Sequence, residues 1–306
     1  MPSLTEILKP HLSAAPRPIL TSLNGDNSWL ISLPRPATDR AVKTFYHIVS
    51  DPWLTGQTSF WPSFVLKIST PQLPAIPSGS AVETTITTIE KLYNPSFSPQ
   101  DTSLIDAIFL NFHYLDHLHE ASLRTFNPAI PVFAAPEAAA IVGKWNYFSH
   151  LTVTRDMKSD EAPETLHPGG DLPKWLNVFR LLGHRELNFA TAIMFESAPG
   201  EREAIIYSPH GIRTDQPSVQ AFVRQDVEVL AMLHALKDSF AFGLATTLGV
   251  KGGRELEEFI KPRYWVKSHD SLLKYEGIMA WVGWINDVER EGNVVEVENG
   301  GCFLLE

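Results

Sequence analysis

The stretch that most constrains this chain is residues 111–120, which read N-F-H-Y-L-D-H-L-H-E. It follows an apolar run at residues 107–110, which predicts a buried strand, and it precedes a predicted helix at residues 121–126. Four of its side chains are of a type that binds metals: His113, Asp116, His117 and His119. Loops that leave the end of a buried strand often carry the chemistry of α/β proteins. This stretch is therefore the strongest functional signal in the sequence.

Composition excludes several classes of function. The 306 residues include 25 basic and 35 acidic side chains, and the net charge of −10 argues against nucleic-acid binding and against a polybasic membrane contact. The single cysteine, Cys302, excludes an intrachain disulfide. Residues 1–15 lack the pattern of a signal peptide, and no apolar run is as long as a transmembrane helix. We therefore expect a soluble, cytoplasmic protein.

Alternating apolar runs and turn residues predict the order of elements. Residues 18–34 predict a β-hairpin around the turn Asn24-Gly25-Asp26-Asn27. Further predicted strands cover 45–49, 104–110, 130–134, 151–154, 176–182, 189–196, 203–208 and 264–266, of which the three at 176–208 are expected to form an antiparallel meander. Predicted helices cover 136–145, 226–240 and 252–261, residues 80–93 suggest a strand running into a helix, and residues 278–306 suggest a helix near 281–284 followed by a hairpin.

Residues 55–79 are rich in proline, serine and aromatic side chains. An irregular packed loop is one interpretation of such a composition. The other is a flap over an apolar substrate pocket, because long ordered loops often serve as lids. The sequence leaves both open.

Histidine and aspartate side chains follow several of the predicted strands directly. Asp51, the pair Asp116-His117, His210 and His269 each come after a segment that we expect to be buried in a sheet. Strand-end loops can converge on one edge of a sheet, so these side chains are candidates to meet there. Imidazole and carboxylate groups are the ligands that a Zn, Fe or Mn centre requires.

The chain resembles the metallo-β-lactamase-fold superfamily, and within it the UlaG-like branch. The resemblance extends from about residue 18 to about residue 270 and rests on the opening hairpin and on four short motifs. These motifs are Ser50-Asp51-Pro52-Trp53, Asp116-His117 after a strand, Ser208-Pro209-His210-Gly211 and Ser268-His269-Asp270. It implies a four-layer αββα sandwich of α/β (α+β) class, formed by residues 1–306 as a single domain, with extensions at 1–17 and 278–306.

The resemblance also implies a ligand set. The family's first metal motif is H-x-H-x-D-H, and aligning it on Asp116 and His117 puts Phe112 and Tyr114 where the first two histidines belong. The matching positions of the second metal site are Asp116, His117 and His269, with His210 near the place of the bridging aspartate. His184 is a weaker match to the family's middle histidine. A single divalent ion is therefore expected, with zinc as the first choice and iron or manganese as alternatives. A degenerate site without metal is the other outcome.

The implied function is a metallo-β-lactamase-like hydrolase acting on an ester, thioester or lactone of an apolar or aromatic small molecule. Asp51, Tyr114 and Asp116 are the candidate catalytic residues. The alternative is a metal-free enzyme on the same fold (a lyase, cyclase or decarboxylase) or a binding protein, because two family histidines are missing. The expected partner is the small-molecule substrate, and a homo-oligomer is possible.

For several candidates, a structural explanation is favoured over a functional one. Asp51 could simply cap its own turn, and His113, His119 and His184 could be surface or loop residues. His234 is expected to be structural, on one face of the predicted helix 226–240. Ser208 lacks the G-x-S-x-G context of a nucleophile, and residues 249–253 are rich in glycine without a nucleotide-binding pattern.

Overall fold

The computed structural model describes residues 3–40, 42–60, 62, 64–101, 103–241, 243–282 and 285–306. The strands, in chain order, are β1 (Ile19–Ser22), β2 (Trp29–Pro34), β3 (Phe45–Ser50), β4 (Thr58–Phe60), β5 (Leu66–Ser69), β6 (Ala107–Leu110), β7 (Val132–Ala134), β8 (Leu151–Val153), β9 (Arg155–Met157), β10 (Leu176–Leu181), β11 (Ala190–Ala198), β12 (Glu201–Tyr207), β13 (Glu228–His234), β14 (Asp238–Ala241), β15 (Leu244–Ala245), β16 (Tyr264–Lys267), β17 (Lys274–Glu276), β18 (Ile285–Val288) and β19 (Cys302–Leu304).

The α-helices connect these strands or flank them. They are α1 (Leu4–Leu8), α2 (Gly79–Tyr93), α3 (Glu120–Leu123), α4 (Pro136–Trp145), α5 (Pro217–Val223), α6 (Gly249–Ile260) and α7 (Ile278–Trp281). Single 3₁₀ turns lie at Lys9–His11, Ala37–Asp39, Pro99–Asp101 and Pro163–Leu166. Among the helices in the described ranges, none combines the length and the apolar character needed to cross a membrane.

The chain divides into two compact units. The first comprises Met1–Thr55, Gln72–Thr152 and Val297–Glu306, and the second comprises Gly56–Pro71 and Val153–Glu296.

The first unit contains a mixed sheet with the strand order β19-β1-β2-β3-β6-β7-β8. The strands from β19 to β3 pair antiparallel, whereas β3, β6 and β7 run parallel to one another. The core of this unit joins the sheet to α2 and α4 through apolar side chains that are fully or almost fully buried. They include Ile108 and Leu110 on β6, Val82, Ile86 and Ile89 on α2, and Ala138 and Val142 on α4.

The main sheet of the second unit has the order β16-β13-β12-β11-β10-β9. Strands β10, β11 and β12 form the antiparallel meander that the sequence predicts, and β12, β13 and β16 run parallel. The core on one face of this sheet includes Phe179, Ile206 and Met232 from the strands, with Phe222 from α5 and Leu256 from α6. Two smaller sheets, β15-β14-β18 and β17-β5-β4, complete the unit.

Most of the predicted elements are confirmed. The opening hairpin pairs Ile19 with Ser32 and Ser22 with Trp29, and α4 begins at Pro136, where proline suits the first helical turn. Residues 80–93 are helical throughout, where the sequence suggested a strand running into a helix. Ser78 caps α2 by accepting a hydrogen bond from the Ala81 amide (3.2 Å), and several threonine hydroxyls donate to carbonyls one turn earlier.

The prediction of a helix at residues 226–240 is wrong, because this segment forms β13 and β14. Val229, Leu230, Ala231, Met232 and Leu233 are consecutive and buried. A strand flanked by parallel neighbours is covered on both faces, so its sequence is continuously apolar and fits a helical period as well as a strand.

Three further segments differ from the sequence expectation. Residues 58–69 are not wholly irregular, since β4 pairs with β5, which pairs with β17. The prediction of a C-terminal hairpin is wrong, because β19 pairs with β1 and β18 pairs with β14. The helix expected near 281–284 is found at Ile278–Trp281, and residues 283 and 284 lie outside the described residues.

Candidate metal site

Two parallel strands of the first unit place the groups at residues 51 and 111 side by side. Asp51 follows β3, Asn111 follows β6, and the two strands pair in parallel register. The Asp51 amide donates to the Phe109 carbonyl (3.0 Å), and Asp51 Oδ1 accepts from both the amide (2.7 Å) and Nδ2 (3.1 Å) of Asn111. Asp51 has φ 44°, a left-handed conformation that aspartate tolerates better than most residues. These bonds fix the carboxylate at the edge of the sheet.

The other Asp51 oxygen contacts the candidate ligand His117. Asp51 Oδ2 lies 2.8 Å from His117 Nδ1, and neither side chain is exposed to solvent. Burial by itself lowers the pKa of His117, but the charge of Asp116 and the hydrogen bond with Asp51 outweigh it and raise this pKa above its ordinary value. In the neutral ring, the Asp51 carboxylate holds the proton on Nδ1 and leaves the Nε2 lone pair for a ligand.

Asp116 lies on the Nε2 side of the same ring. Its Oδ2 is 4.0 Å from His117 Nε2, and the residue is 8% exposed. Its carboxylate is therefore close enough to share an ion with His117 after a small side-chain movement. Its backbone carbonyl accepts a hydrogen bond from Asn27 Nδ2 (2.7 Å).

Aromatic side chains occupy the positions at which the resemblance implies two further histidines. Phe112 is fully buried, and its ring centroid lies 4.6 Å from that of His117. Tyr114 is half-buried beside His113, with 4.3 Å between their ring centroids, and its carbonyl accepts the His117 amide (2.9 Å). Phe112 thus supports the ligand ring by packing. Catalytic roles for Tyr114, Asp51 and Asp116 stay predictions.

His119 has a local structural role. Its Nδ1 lies 2.8 Å from Ser122 Oγ, which accepts the amides of Leu54 (2.7 Å) and Thr55 (3.1 Å) and therefore donates to the ring. Burial lowers the pKa of His119, which keeps the ring neutral. This histidine joins the start of α3 to the segment after β3.

In the second unit, three parallel strands end in histidine-containing segments. His210 follows β12, His234 ends β13, and His269 follows β16. The rings of His210 and His269 meet edge to face, with 4.8 Å between their centroids, and both residues are buried. The Leu248 amide (2.9 Å) and Asn188 Nδ2 (3.0 Å) donate to the His210 carbonyl and hold its loop. The structure therefore brings His210 and His269 together as the sequence predicts.

His234 is structural, although it lies on a strand and not on the predicted helix. It is fully buried, its Nδ1 donates to the Ala235 carbonyl (2.6 Å), and burial lowers its pKa to about 4. Its carbonyl accepts from the Trp265 indole (3.2 Å) and from the Ser268 amide (3.3 Å). The loop that carries His269 is anchored to β13 in this way. His184 is half-buried, and burial lowers its pKa as well.

Three buried histidines make up a group that could hold a metal ion. One ring nitrogen each from His117, His210 and His269 lies within 4.8 Å of the other two. Neutral imidazoles are good ligands for zinc and other transition metals, and a carboxylate behind the first imidazole is the usual second partner of such a ligand. The donor set and the Asp51 contact therefore fit a metal ion.

Sequence reasoning missed two residues that build this arrangement. Asn111 belongs to the central stretch, but its type alone does not show that it binds Asp51. Asn27 belongs to the predicted turn of the hairpin, where asparagine is expected for its backbone conformation. The signal that could have found Asn27 is only a weak one, a turn with three polar side chains between two mainly apolar strands.

Several solved structures of other proteins are similar to this chain. An isothiocyanate hydrolase from Delia radicum gut bacteria matches with a TM-score of 0.56 at 13% identity, covering 94% of this chain and 99% of that one. A possible metal-dependent hydrolase from Veillonella parvula matches with a TM-score of 0.56 at 12% identity, covering 94% and 100%. The metallo-β-lactamase fold protein YhfI from Bacillus subtilis matches with a TM-score of 0.45 at 9% identity, covering 94% and 99%.

The chain therefore shares the fold of the isothiocyanate hydrolase and of the possible metal-dependent hydrolase, and its mixed α/β architecture with several sheets is consistent with the one that the sequence resemblance implied. At these identities the likeness concerns the fold alone. No protein-family model matches the sequence, and no curated protein matches it.

Proposed function

We propose that this protein is a metal-dependent hydrolase with a single-ion centre. The observation that carries the proposal is the group of three buried histidines, His117, His210 and His269, whose ring nitrogens lie within 4.8 Å of one another. Asp116 is the proposed fourth ligand, because its carboxylate oxygen lies 4.0 Å from His117 Nε2. The names of two proteins of the same fold, an isothiocyanate hydrolase and a possible metal-dependent hydrolase, are consistent with this chemistry.

Zinc is the proposed ion, because three imidazoles and one carboxylate form a borderline-soft, four-membered ligand set. With a coordination position left open for water, such an ion would lower the pKa of that water towards 7 and would polarise a carbonyl oxygen. The protein contributes the orientation of the ligands. Asp51 keeps the proton of His117 on Nδ1, and Phe112 packs against the ring and keeps water away from that side.

Proton transfer is assigned to the acidic groups of the same loop. Asp116 is the proposed acceptor, through the carboxylate oxygen that would not bind the ion, since the residue is 8% exposed and close to the Nε2 side of His117. Tyr114 is a proposed donor to the leaving group, from its position in the loop two residues before Asp116.

The proposed substrates are esters, thioesters or lactones of apolar or aromatic small molecules. Large apolar side chains are exposed on α7, which follows His269 along the chain, and between β4 and β5. Trp281 is 87% exposed, Ile278 is 54% exposed and Phe64 is 66% exposed. Ile278 and Phe64 are neighbours, because the Ile278 amide donates to the Phe64 carbonyl (3.1 Å). Exposed apolar clusters of this kind are typical of binding surfaces.

Elemental analysis of the purified protein tests the proposal, with His117→Ala and His269→Ala beside it. We expect about one ion per chain in the parent and a loss of most of that ion in either variant. His119→Ala is the matched control, because it removes a buried imidazole two residues from His117 and is expected to keep the ion. A metal-free parent whose esterase activity survives chelators would reject the proposal in favour of a metal-free enzyme.

A further inference from the structure

The turn of the opening hairpin is buried, which is unusual because turns normally lie on the surface. Asn24 and Asp26 are each 2% exposed, and Asn27 and Ser28 are not exposed at all. Four polar residues within five positions lose their contact with water here, so each needs hydrogen bonds within the protein. The partners of these bonds show what the turn supports.

Bonds within the turn orient Asn27. The side-chain oxygen of Asn24 accepts the amides of Asp26 (2.9 Å) and Ser28 (3.1 Å), and its Nδ2 donates to Asn27 Oδ1 (3.2 Å). Because Asn27 Oδ1 is the acceptor in that bond, its Nδ2 is directed away from the turn as a donor. The side-chain amide of Asn27 is thus oriented by hydrogen bonds within the turn itself.

Bonds leaving the turn reach both segments that carry the Asp51–His117 pair. Asn27 Nδ2 donates to the Asp116 carbonyl (2.7 Å), 89 residues further along the chain. Ser28 Oγ donates to the Asp51 carbonyl (2.7 Å) and accepts the Trp53 amide (2.8 Å). Two adjacent residues of one turn, Asn27 and Ser28, therefore hold the peptide between Asp116 and His117 and the peptide after Asp51.

We propose that Asn27 is a positioning residue that fixes the Asp116–His117 peptide and thereby determines the orientation of the His117 ring. The expected effect of Asn27 on metal binding rests on the proposed function. Its expected effect on the conformation of the loop does not. Asn27 acts through the backbone and contacts neither the proposed ion nor the substrate. The Asn27 amide constrains the backbone at the start of His117, and Asp51 constrains the imidazole ring.

The variant that tests the proposal is Asn27→Asp, which keeps the shape of the side chain and replaces the donor by an oxygen facing the Asp116 carbonyl. In metal-free protein, we expect hydrogen exchange of a peptide covering residues 112–119 to rise at least about tenfold, as local opening becomes easier. In chelator competition with zinc, we expect the affinity to fall about 10–100-fold, as for other residues that orient metal ligands. Asn27→Ala replaces this variant if it does not fold.

The matched control is Asn177→Asp in the second unit. Asn177 is 5% exposed, and its Nδ2 likewise donates to a backbone carbonyl, that of Pro163 (2.6 Å). We expect this control to lower the melting temperature without changing exchange at residues 112–119 or zinc affinity. If Asn27→Asp behaves like the control, the proposal is wrong. If the parent binds no zinc, the proposed function fails, while the exchange of residues 112–119 still decides whether Asn27 positions the loop.

Discussion

Asp51 Oδ2 lies 2.8 Å from Nδ1 of His117, and both side chains are fully buried. The bond joins the end of β3 to the loop after β6, and it determines which nitrogen of the ring carries the proton. It therefore connects the packing of the parallel strands directly to the ligand chemistry of His117.

Replacing Asp51 with asparagine is expected to weaken metal binding. The amide is isosteric, but it removes the charge that holds the proton on His117 Nδ1 and can present a donor to that nitrogen. We expect zinc affinity to fall about 10–100-fold, measured by competition with a chelator.

The control for this change is Asp106→Asn. Asp106 is a largely buried carboxylate of the same unit that accepts the His47 amide (2.8 Å) and binds Lys43 (2.7 Å). It is expected to lower stability without changing zinc affinity. Equal zinc affinities for the parent and Asp51→Asn would contradict the ordering role of Asp51.

Phe112→Ala is expected to destabilise the protein by about 3–5 kcal/mol, because it leaves a cavity at a fully buried site. Since the ring also packs against His117, zinc affinity should fall with it. Phe112→Leu fills most of the space and is expected to cost less in both measurements. Chemical denaturation and chelator competition provide the readouts, and an unchanged unfolding free energy for Phe112→Ala would show that the ring is not packed as described.

Much of the fold could be predicted from the sequence because its signals are local. The turn chemistry at residues 24–27 predicts the hairpin, and Pro136 predicts the start of α4. The failure at residues 226–240 has a physical reason, since a central parallel strand and a buried helix can share one apolar sequence. The pairing of β19 with β1 joins residues almost 300 positions apart, and no local pattern predicts it.

Prediction of the site was limited in the same way. Asp116-His117 and His269 follow strands, a local feature that identifies them as candidates. The partners that orient them are distant in sequence: Asp51 is 66 residues from His117, and Asn27 is 89 residues from Asp116. Which of several polar residues becomes such a partner is decided by sheet register, which the sequence shows only indirectly.

Glu90 is expected to make the protein sensitive to acid. It is fully buried on α2 and accepts the amides of Thr44 (2.8 Å) and Phe45 (2.9 Å), with His47 Nε2 at 3.0 Å. Burial alone raises the pKa of Glu90, but the hydrogen bond with His47 and the two amides lower it below the ordinary value of 4.5. A carboxyl with a lowered pKa stabilises the fold above its unfolded-state pKa, and this contribution is lost as the pH falls through the folded-state value.

His47 acts in the same direction. Burial lowers its pKa below 6.5, so the folded state resists protonation as the pH falls below that value, and the unfolded state gains protons first. We expect the unfolding free energy to fall between pH 7 and pH 4. In Glu90→Gln it should be lower at pH 7 and fall less steeply below pH 4.5. Urea denaturation at a series of pH values measures both, and identical slopes for parent and variant would rule out Glu90 as a source of the acid sensitivity.

Asp287 on β18 connects the loop after His269 to strands β14 and β17. Its carboxylate accepts Ser239 Oγ (2.6 Å) and Tyr275 Oη (3.0 Å) and lies 3.5 Å from Lys237 Nζ, which donates to the Ser271 carbonyl (2.7 Å). The side chains of Lys237 and Asp287 are 2% and 4% exposed. Removing one partner of such a buried pair leaves the other charge uncompensated.

Asp287→Ala is therefore expected to cost about 3–5 kcal/mol of unfolding free energy, whereas removing both charges in Lys237→Met with Asp287→Leu should cost less than the sum of the single changes. Because this carboxylate accepts the Leu273 amide (3.3 Å) and the Tyr275 hydroxyl (3.0 Å), we also expect faster hydrogen exchange at residues 271–276 in Asp287→Ala. Asp238→Ala is the control, since its ion pair with Arg290 is partly exposed and should contribute no more than about 1 kcal/mol. Additive costs in the double variant would mean that Lys237 and Asp287 do not act as a pair.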